Sequence, residues 1–169
     1  MAAPERYSVV VAKDYLKFAA AHFIAYPGFR EPLHGHNYQV SVRVEAALGA
    51  DGYVLDFGLV KRVAKALCGE LDERVILPEK SECLAVRDLG DGFSVTTETG
   101  DRFVFPRADV RVLPIAHSSA EELAAYLLQR LRAALAGEVG GRHLVALEVG
   151  VAEAPGQIAY CKQTCDESS

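Results

Sequence analysis

The chain has 169 residues, 50% of them hydrophobic, and a formal net charge of −5, which fits one soluble domain spanning residues 1–169. Scattered Lys and Arg with a net negative charge argue against nucleic acid as a partner, and no apolar run reaches the ~20 residues that cross a bilayer. The N-terminus lacks a signal-peptide pattern, so we expect a cytoplasmic protein with no membrane partner.

The first third of the chain predicts β-structure. Tyr7–Ala12 and Leu16–Ala25 are rich in β-branched and aromatic residues, which predicts two strands joined in a hairpin at Lys13-Asp14. From Tyr38 to Ala46 polar and apolar residues alternate with a period of two, which is typical of a strand with one buried face.

A first amphipathic helix follows the Gly49–Gly52 turn. Asp56 is well placed to cap it, and Gly69 is placed to end it. The apolar residues on its predicted buried face are Leu59, Val60, Val63, Ala64 and Leu67.

A second amphipathic helix is predicted to run to about Ala136. Ser118 or Ser119 begins it, and Glu121 or Glu122 closes a capping box. Leucine recurs there at four-residue spacing, which predicts one apolar face.

Two further segments complete the predicted fold. Cys83–Pro106 contains short extended pieces separated by Gly- and Asp-rich turns, which predicts an inserted β-meander. Gly137–Gly141 should break the second helix, and Leu144–Ala152 should form a last strand. This order of elements favours an α+β fold with an antiparallel sheet.

The four cysteines do not have the paired spacing of a thiolate zinc site. We expect Cys68, Cys83, Cys161 and Cys165 to be free thiols, although a disulfide or metal clip between Cys161 and Cys165 stays open.

Three histidines form a candidate metal site. His34 and His36 are two apart, so in a strand both imidazoles project to one face. His22 ends a strand that can pair antiparallel with the strand beginning at His34. Three imidazoles would leave the fourth tetrahedral position open, as catalytic zinc requires. Imidazole also binds copper, iron and nickel, and ordinary surface or hydrogen-bonded core histidines are the alternative.

Several motifs around these histidines share one resemblance. They are Phe18–His22, His34–Tyr38, Gly52–Phe57 with Lys61, Leu71-Asp72, Ser119–Glu121 with Leu123-Ala124, and Glu153 followed by Ala159-Tyr160. Together they resemble the 6-pyruvoyl-tetrahydropterin synthase family over nearly the whole chain except the meander.

The resemblance implies a tunnelling fold, with a four-stranded antiparallel sheet and two helices on one face. It also implies trimers whose sheets close into a barrel, and two trimers stacked as a homohexamer. The implied cofactor is Zn²⁺ on His22, His34 and His36, and the implied substrate is 7,8-dihydroneopterin triphosphate or a close relative.

The resemblance also suggests which residues contact the substrate. Glu153 matches a carboxylate that anchors the pterin, and its alternative is a solvated acid at a strand end. Ser119 and Glu121 match positions at the start of the second helix and are expected to contribute to substrate binding.

The expected general base is altered. Classical members of the family carry a cysteine a few residues before the first histidine of the pair, whereas residues 28–33 contain none and Glu31 lies three residues before His34. This resembles a variant group in which glutamate replaces the cysteine, associated with cleavage to 6-hydroxymethyl-7,8-dihydropterin, a folate precursor. The alternative is a surface glutamate paired with Arg30.

The family's aspartate-histidine relay is also altered, because Asp72 is followed by Glu73. His117 could supply an imidazole from another loop, or it could be an ordinary polar residue at a helix start. His143 has no motif around it.

Three functions follow in order of preference. The first is a lyase with Glu31 as acid-base group, which forms 6-hydroxymethyl-7,8-dihydropterin. The second is a 6-pyruvoyl- or 6-carboxy-tetrahydropterin synthase. The third is a homologue that holds zinc and pterin without turnover.

Overall fold

The computed structural model describes residues 5–136 and 144–164. Its strands are Tyr7–His22 (β1), Ala25–Tyr26 (β2), Phe29–Arg30 (β3), His34–Ala46 (β4), Arg74–Pro78 (β5), Leu84–Asp88 (β6), Gly92–Thr97 (β7), Arg102–Pro106 (β8), Val110–Leu113 (β9), Leu144–Ala154 (β10) and Gln157–Thr164 (β11). Its helices are Phe57–Leu71 (α1) and Ala120–Ala136 (α2), with a short 3-10 turn at Arg107–Asp109. None of the helices in these ranges has the length and apolar character needed to cross a membrane.

One mostly antiparallel sheet dominates the structure, with strand order β11-β10-β4-β1-β5-β9. Its four long strands, β11, β10, β4 and β1, are antiparallel and confirm the predicted four-stranded sheet. The short strands β5 and β9, which the sequence did not predict, extend it in parallel pairing.

The predicted opening hairpin is wrong, because β1 is one continuous strand of 16 residues. Both of its halves pair with β4, and the register shifts between Ala12 and Lys17. Lys13-Asp14 therefore lies in a bulge rather than a turn, and the Gln39 side chain donates to the Lys13 carbonyl at 2.7 Å. A bulge lets Leu16 join the core on the same face as Val11.

The main core lies between this sheet and both helices. Alternate residues of β1, β4 and β10 are buried against α1 and α2, so the helices share one face of the sheet as predicted. Phe18 and Tyr38 are at most 1% exposed, and their rings stack with centroids 4.8 Å apart. Burying a side chain of this size contributes roughly 1.5–3 kcal/mol, so this pair fixes β1 against β4 close to the histidines.

The first helix begins as predicted but ends later. The Asp56 carboxylate accepts from the Gly58 N–H at 2.8 Å, which confirms the cap. Gly69 does not end the helix, which continues to Leu71. The chain turns away from the helix at Glu73 instead, whose φ of 55° lies in the left-handed region.

The second helix confirms the predicted capping residues in a modified form. Ser119 Oγ accepts from the Glu122 N–H at 3.4 Å. The Glu122 carboxylate accepts from the backbone N–H groups of Ala116 and His117, at 2.7 and 3.2 Å, rather than from Ser119. The preceding loop is thereby fixed to the first turn of α2.

The predicted meander is present as β6, β7 and β8. It packs on a second apolar cluster, which contains Phe23, Leu77, Leu84, Val95 and Val110. Cys68, Cys83 and Cys161 are free thiols. The expected break at Gly137–Gly141, His143 and the possible Cys161–Cys165 clip lie outside the described residues.

Candidate metal centre and active site

The three predicted histidines meet at the end of the main core. Antiparallel pairing of β1 with β4 places His22 directly opposite His34, and His36 follows two residues along the same strand. The ligand atoms of the three side chains all lie within 4.8 Å of one another. His22 is 2% exposed, whereas His34 is exposed, so the group spans the boundary between core and solvent.

Backbone carbonyls orient two of these rings. His22 Nδ1 lies 2.8 Å from the Ser118 carbonyl, and His34 Nδ1 lies 2.9 Å from the Pro32 carbonyl. Because a carbonyl only accepts, each Nδ1 must carry the proton and each Nε2 keeps its lone pair. The Tyr38 hydroxyl, 3.1 Å from His22 Nε2, is therefore the donor in that contact. Such carbonyl partners are typical of metal-binding histidines.

The environment of His22 favours its neutral form. Burial lowers the pKa of the ring, and the neighbouring His34 and His36 act in the same direction. The hydrogen bond to the Ser118 carbonyl and the charge of Glu31 oppose this change without reversing it. A neutral imidazole is the form that ligates a metal, so His22 needs no proton removed at neutral pH.

The donor set fits a metal ion with an open coordination position. Three imidazole nitrogens converge, and two are fixed in the tautomer that presents Nε2. Structural zinc sites use four protein ligands, whereas catalytic ones keep one position for water or substrate. The geometry therefore supports a metal centre able to act on a bound molecule.

Glu31 is held beside this group by its backbone and by one carboxylate oxygen. Its N–H donates to the Ile24 carbonyl at 2.9 Å, and its Oε2 accepts from the Ile24 N–H at 3.0 Å. The other oxygen, Oε1, has no hydrogen-bond partner within residues 5–136 and 144–164. The alternative pairing with Arg30 is absent, because the Arg30 guanidinium contacts Asp101 and the Glu31 backbone carbonyl instead.

Glu153 lines a cleft that also contains His36. The cleft has a volume of about 620 Å³ and includes Asn37 and Gln39 on the β4 side. Glu153 sits at a register shift between β10 and β11, and such a bulge re-aims a side chain. Volumes of roughly 300–1,000 Å³ are usual for small-molecule sites.

Tyr38 lies within electrostatic range of both candidate carboxylates. Burial raises the pKa of its phenol, and the charges of Glu153 and Glu31 raise it further. The phenol is thus a neutral hydrogen-bond donor at ordinary pH. The two carboxylates therefore both lie close enough to the Tyr38 phenol to disfavour its ionisation.

The predicted relay residues Asp72 and His117 each have their own hydrogen-bond partner. Asp72 Oδ1 accepts from the Ala19 N–H at 2.7 Å, which fastens the end of α1 to β1. His117 lies in the loop before α2, and among the described residues no hydrogen bond joins it to Asp72. Glu73, where a relay histidine was expected, lines a second cleft of about 390 Å³ together with His36.

Ser119 and Glu121, the expected substrate-binding residues at the start of the second helix, lie away from these clefts. Ser119 uses its hydroxyl as a helix cap, and Glu121 is exposed in the first turn of α2. Neither lines the two clefts beside His36. Their role in substrate binding stays a prediction.

Sequence reasoning missed Ser118 and Tyr38, which both contact His22. Tyr38 was detectable, because it lies two residues beyond His36 on the same face of β4. Ser118 is fully buried, and its hydroxyl donates to the Phe23 carbonyl at 3.2 Å. No local spacing in the sequence indicates the contact between Ser118 and His22, because the two residues are 96 positions apart.

Known proteins resemble this chain in sequence over most of its length. The sequence profile of the family described as 6-pyruvoyl tetrahydropterin synthase matches residues 11–164. A Methanocaldococcus jannaschii protein named as a candidate 6-carboxy-5,6,7,8-tetrahydropterin synthase is 31% identical over 147 residues, which are 84% of this chain and 86% of that protein.

Solved structures are also similar. The 6-pyruvoyl tetrahydropterin synthases of Plasmodium vivax and Plasmodium falciparum each match with a TM-score of 0.91, at 37% and 38% identity. Each match covers 95% of this chain and 99% of the other. Two further P. vivax structures are of variants in which a glutamate, described as a catalytic residue, is replaced by alanine or by cysteine.

We expect His34→Ala and His36→Ala each to weaken divalent-metal binding by more than ~100-fold, because losing even an outer partner of a ligand costs ~10–100-fold. Titration with Co²⁺, followed by its visible absorption, measures both affinity and tetrahedral geometry. His117→Ala is the matched control and should bind like the unmodified protein. Equal Co²⁺ affinity in His34→Ala would contradict this metal centre.

Proposed function

The chain belongs to the 6-pyruvoyl tetrahydropterin synthase family, and on that premise we propose that it is a zinc-dependent lyase. Its proposed substrate is 7,8-dihydroneopterin triphosphate and its proposed product is 6-hydroxymethyl-7,8-dihydropterin. The observation that carries this proposal is Glu31, which stands where the family places its cysteine and holds one carboxylate oxygen free of partners in the described part of the chain.

Zinc is the proposed ion because three imidazoles with an open position are a usual catalytic zinc set. When bound, zinc polarises hydroxyl oxygens and lowers their pKa. The protein contributes the unprotonated Nε2 atoms of His22 and His34, whose rings the Ser118 and Pro32 carbonyls orient. A metal on His22 Nε2 would replace the hydrogen bond from the Tyr38 hydroxyl.

Glu31 Oε1 is the proposed acid-base atom. It takes the proton from the C2′ hydroxyl of the side chain, and the C1′–C2′ bond breaks as the C2′ oxygen becomes an aldehyde. The bonding electron pair moves to C1′ and the pterin ring, and Glu31 returns the same proton to C1′. The triphosphate leaves on a two-carbon aldehyde, so no oxidant or reductant is consumed. The Ile24 N–H on Oε2 keeps the carboxylate aimed during both transfers.

Glu153 is the proposed pterin anchor. A carboxylate can accept the ring N–H and the amino group of a pterin side by side. Its place in the 620 Å³ cleft with His36 supports this role, because the substrate's side chain would then extend toward the histidines.

The second candidate function is a 6-carboxy- or 6-pyruvoyl-tetrahydropterin synthase. The names of the M. jannaschii and Plasmodium relatives favour it. Against it stands the absence of a cysteine in residues 28–33. A glutamate is described as a catalytic residue in the P. vivax relative, and this supports a catalytic glutamate here. A zinc- and pterin-holding homologue without turnover is the third candidate, motivated by Glu73 in place of a relay histidine.

We further propose a homohexamer of two stacked trimers. The outer strand β11 leaves Ile158 and Tyr160 at 48% and 59% exposure, and closing sheets into a barrel would cover such an edge. Light scattering at micromolar concentration should give six chains per particle. A stable monomer would contradict the assembly.

Substitutions of Glu31 and Glu153 should affect different steps of the reaction. We expect Glu31→Gln to lower kcat by ~10²–10⁴-fold with pterin affinity and zinc content retained, because it removes a proton-transfer group. Glu153→Gln should instead weaken pterin binding severely with zinc content unchanged, because an amide cannot accept two donors side by side.

Each variant is the control for the other, measured by steady-state kinetics, equilibrium binding of the product and metal analysis. Unchanged turnover in Glu31→Gln would remove Glu31 from the mechanism and make His117 the next residue to test. Normal affinity in Glu153→Gln would remove the proposed anchor.

A further inference from the structure

Arg30 connects the segment that carries Glu31 to the β-meander. Its Nε donates to Asp101 Oδ2 at 3.0 Å, and its Nη1 donates to the Glu31 carbonyl at 2.9 Å. Asp101 belongs to the turn between β7 and β8, 71 positions away in sequence. One guanidinium therefore contacts both the turn and the backbone of the proposed acid-base residue.

Two aromatic rings also lie against the Arg30 guanidinium. Its centre lies 5.8 Å from the Phe23 ring and 5.3 Å from the Phe103 ring, and these two rings are 5.1 Å apart. Contacts between a guanidinium and aromatic faces within ~6 Å are attractive. Phe23 comes directly after His22, and Phe103 is on β8 of the meander.

The turn that presents Asp101 is organised by its own hydrogen bonds. The Asp101 N–H donates to Thr97 Oγ1 at 3.0 Å, and Thr99 Oγ1 donates to Asp101 Oδ2 at 3.0 Å. Gly100, with φ of 87°, supplies the left-handed residue that this turn requires. Hydrogen bonds within the turn therefore hold the Asp101 carboxylate in position for its contact with Arg30.

The position of Glu31 depends on the same short segment. Its carboxylate accepts from the Ile24 N–H, and Ile24 follows Phe23 in the chain. Movement of Arg30 would release the Glu31 carbonyl and loosen the packing on Phe23 at the same time. Both changes would shift the carboxylate relative to the histidines.

We propose that Arg30 and Asp101 are positioning residues for Glu31, and that the β-meander thereby fixes the acid-base carboxylate beside the metal centre. This inference rests on the role proposed above for Glu31. It gives a function to the β-meander, which lies outside the motifs that carry the family resemblance.

The test uses Arg30→Met and Asp101→Ala in the full-length, zinc-loaded protein. We expect kcat to fall by ~10–100-fold, because a misplacement of about 1 Å costs this much. The KM and zinc content should stay near their original values. Asp88→Ala is the matched control, since Asp88 is also a meander aspartate paired with an arginine, Arg107, and has no contact with Arg30. It should keep the original kcat.

A double-mutant cycle separates positioning from general loosening of the fold. Adding Arg30→Met to Glu31→Gln should cause little further loss if Arg30 acts through Glu31. An equal loss in both backgrounds, or an unchanged kcat in Arg30→Met, would overturn the proposal.

Hydrogen exchange tests the same coupling without catalysis. Exchange at the Ile24 amide, whose acceptor is Glu31 Oε2, should accelerate in Arg30→Met and Asp101→Ala but not in Asp88→Ala. Unchanged exchange in both variants would overturn the positioning role even if Glu31 proves catalytic. Faster exchange together with full activity of Glu31→Gln would instead show that the coupling exists and the proposed chemistry is wrong.

Discussion

The candidate site depends on the antiparallel register between β1 and β4. That register sets His22 opposite His34, and the two-residue period of β4 then places His36 on the same face. A shift of one residue in the pairing would turn these side chains to the far face of the sheet, along with the buried residues on the same face of both strands. The core and the site are therefore fixed by one set of strand pairs, and neither can change alone.

The same register couples the sheet to the second helix. His22 is buried at the end of the core, and its Nδ1 reaches the Ser118 carbonyl just before α2. Ser118 in turn donates to the Phe23 carbonyl, so the loop before the helix closes over the end of β1. A metal on His22 would consequently stabilise the contact between sheet and helix as well as the histidines themselves, since binding to the folded state alone adds to its stability.

Local patterns in the sequence predicted the parts of the fold and site that depend on short-range periodicity. The alternation in Tyr38–Ala46, the Asp56 cap and the His34/His36 spacing are of this kind, and the structure bears them out. The Lys13-Asp14 hairpin was wrong because a bulge and a turn share polar residues, and only the partner strand decides between them. Contacts such as Arg30 with Asp101 join residues far apart in sequence, so no local pattern indicates them.

We propose that this member of the family cleaves the side chain of its pterin substrate with a glutamate as acid-base group. Incubating the zinc-loaded protein with 7,8-dihydroneopterin triphosphate and identifying the pterin by mass spectrometry tests it most directly. We expect 6-hydroxymethyl-7,8-dihydropterin together with a two-carbon aldehyde that carries the triphosphate. A 6-pyruvoyl- or 6-carboxy-tetrahydropterin product, or unchanged substrate, would contradict it.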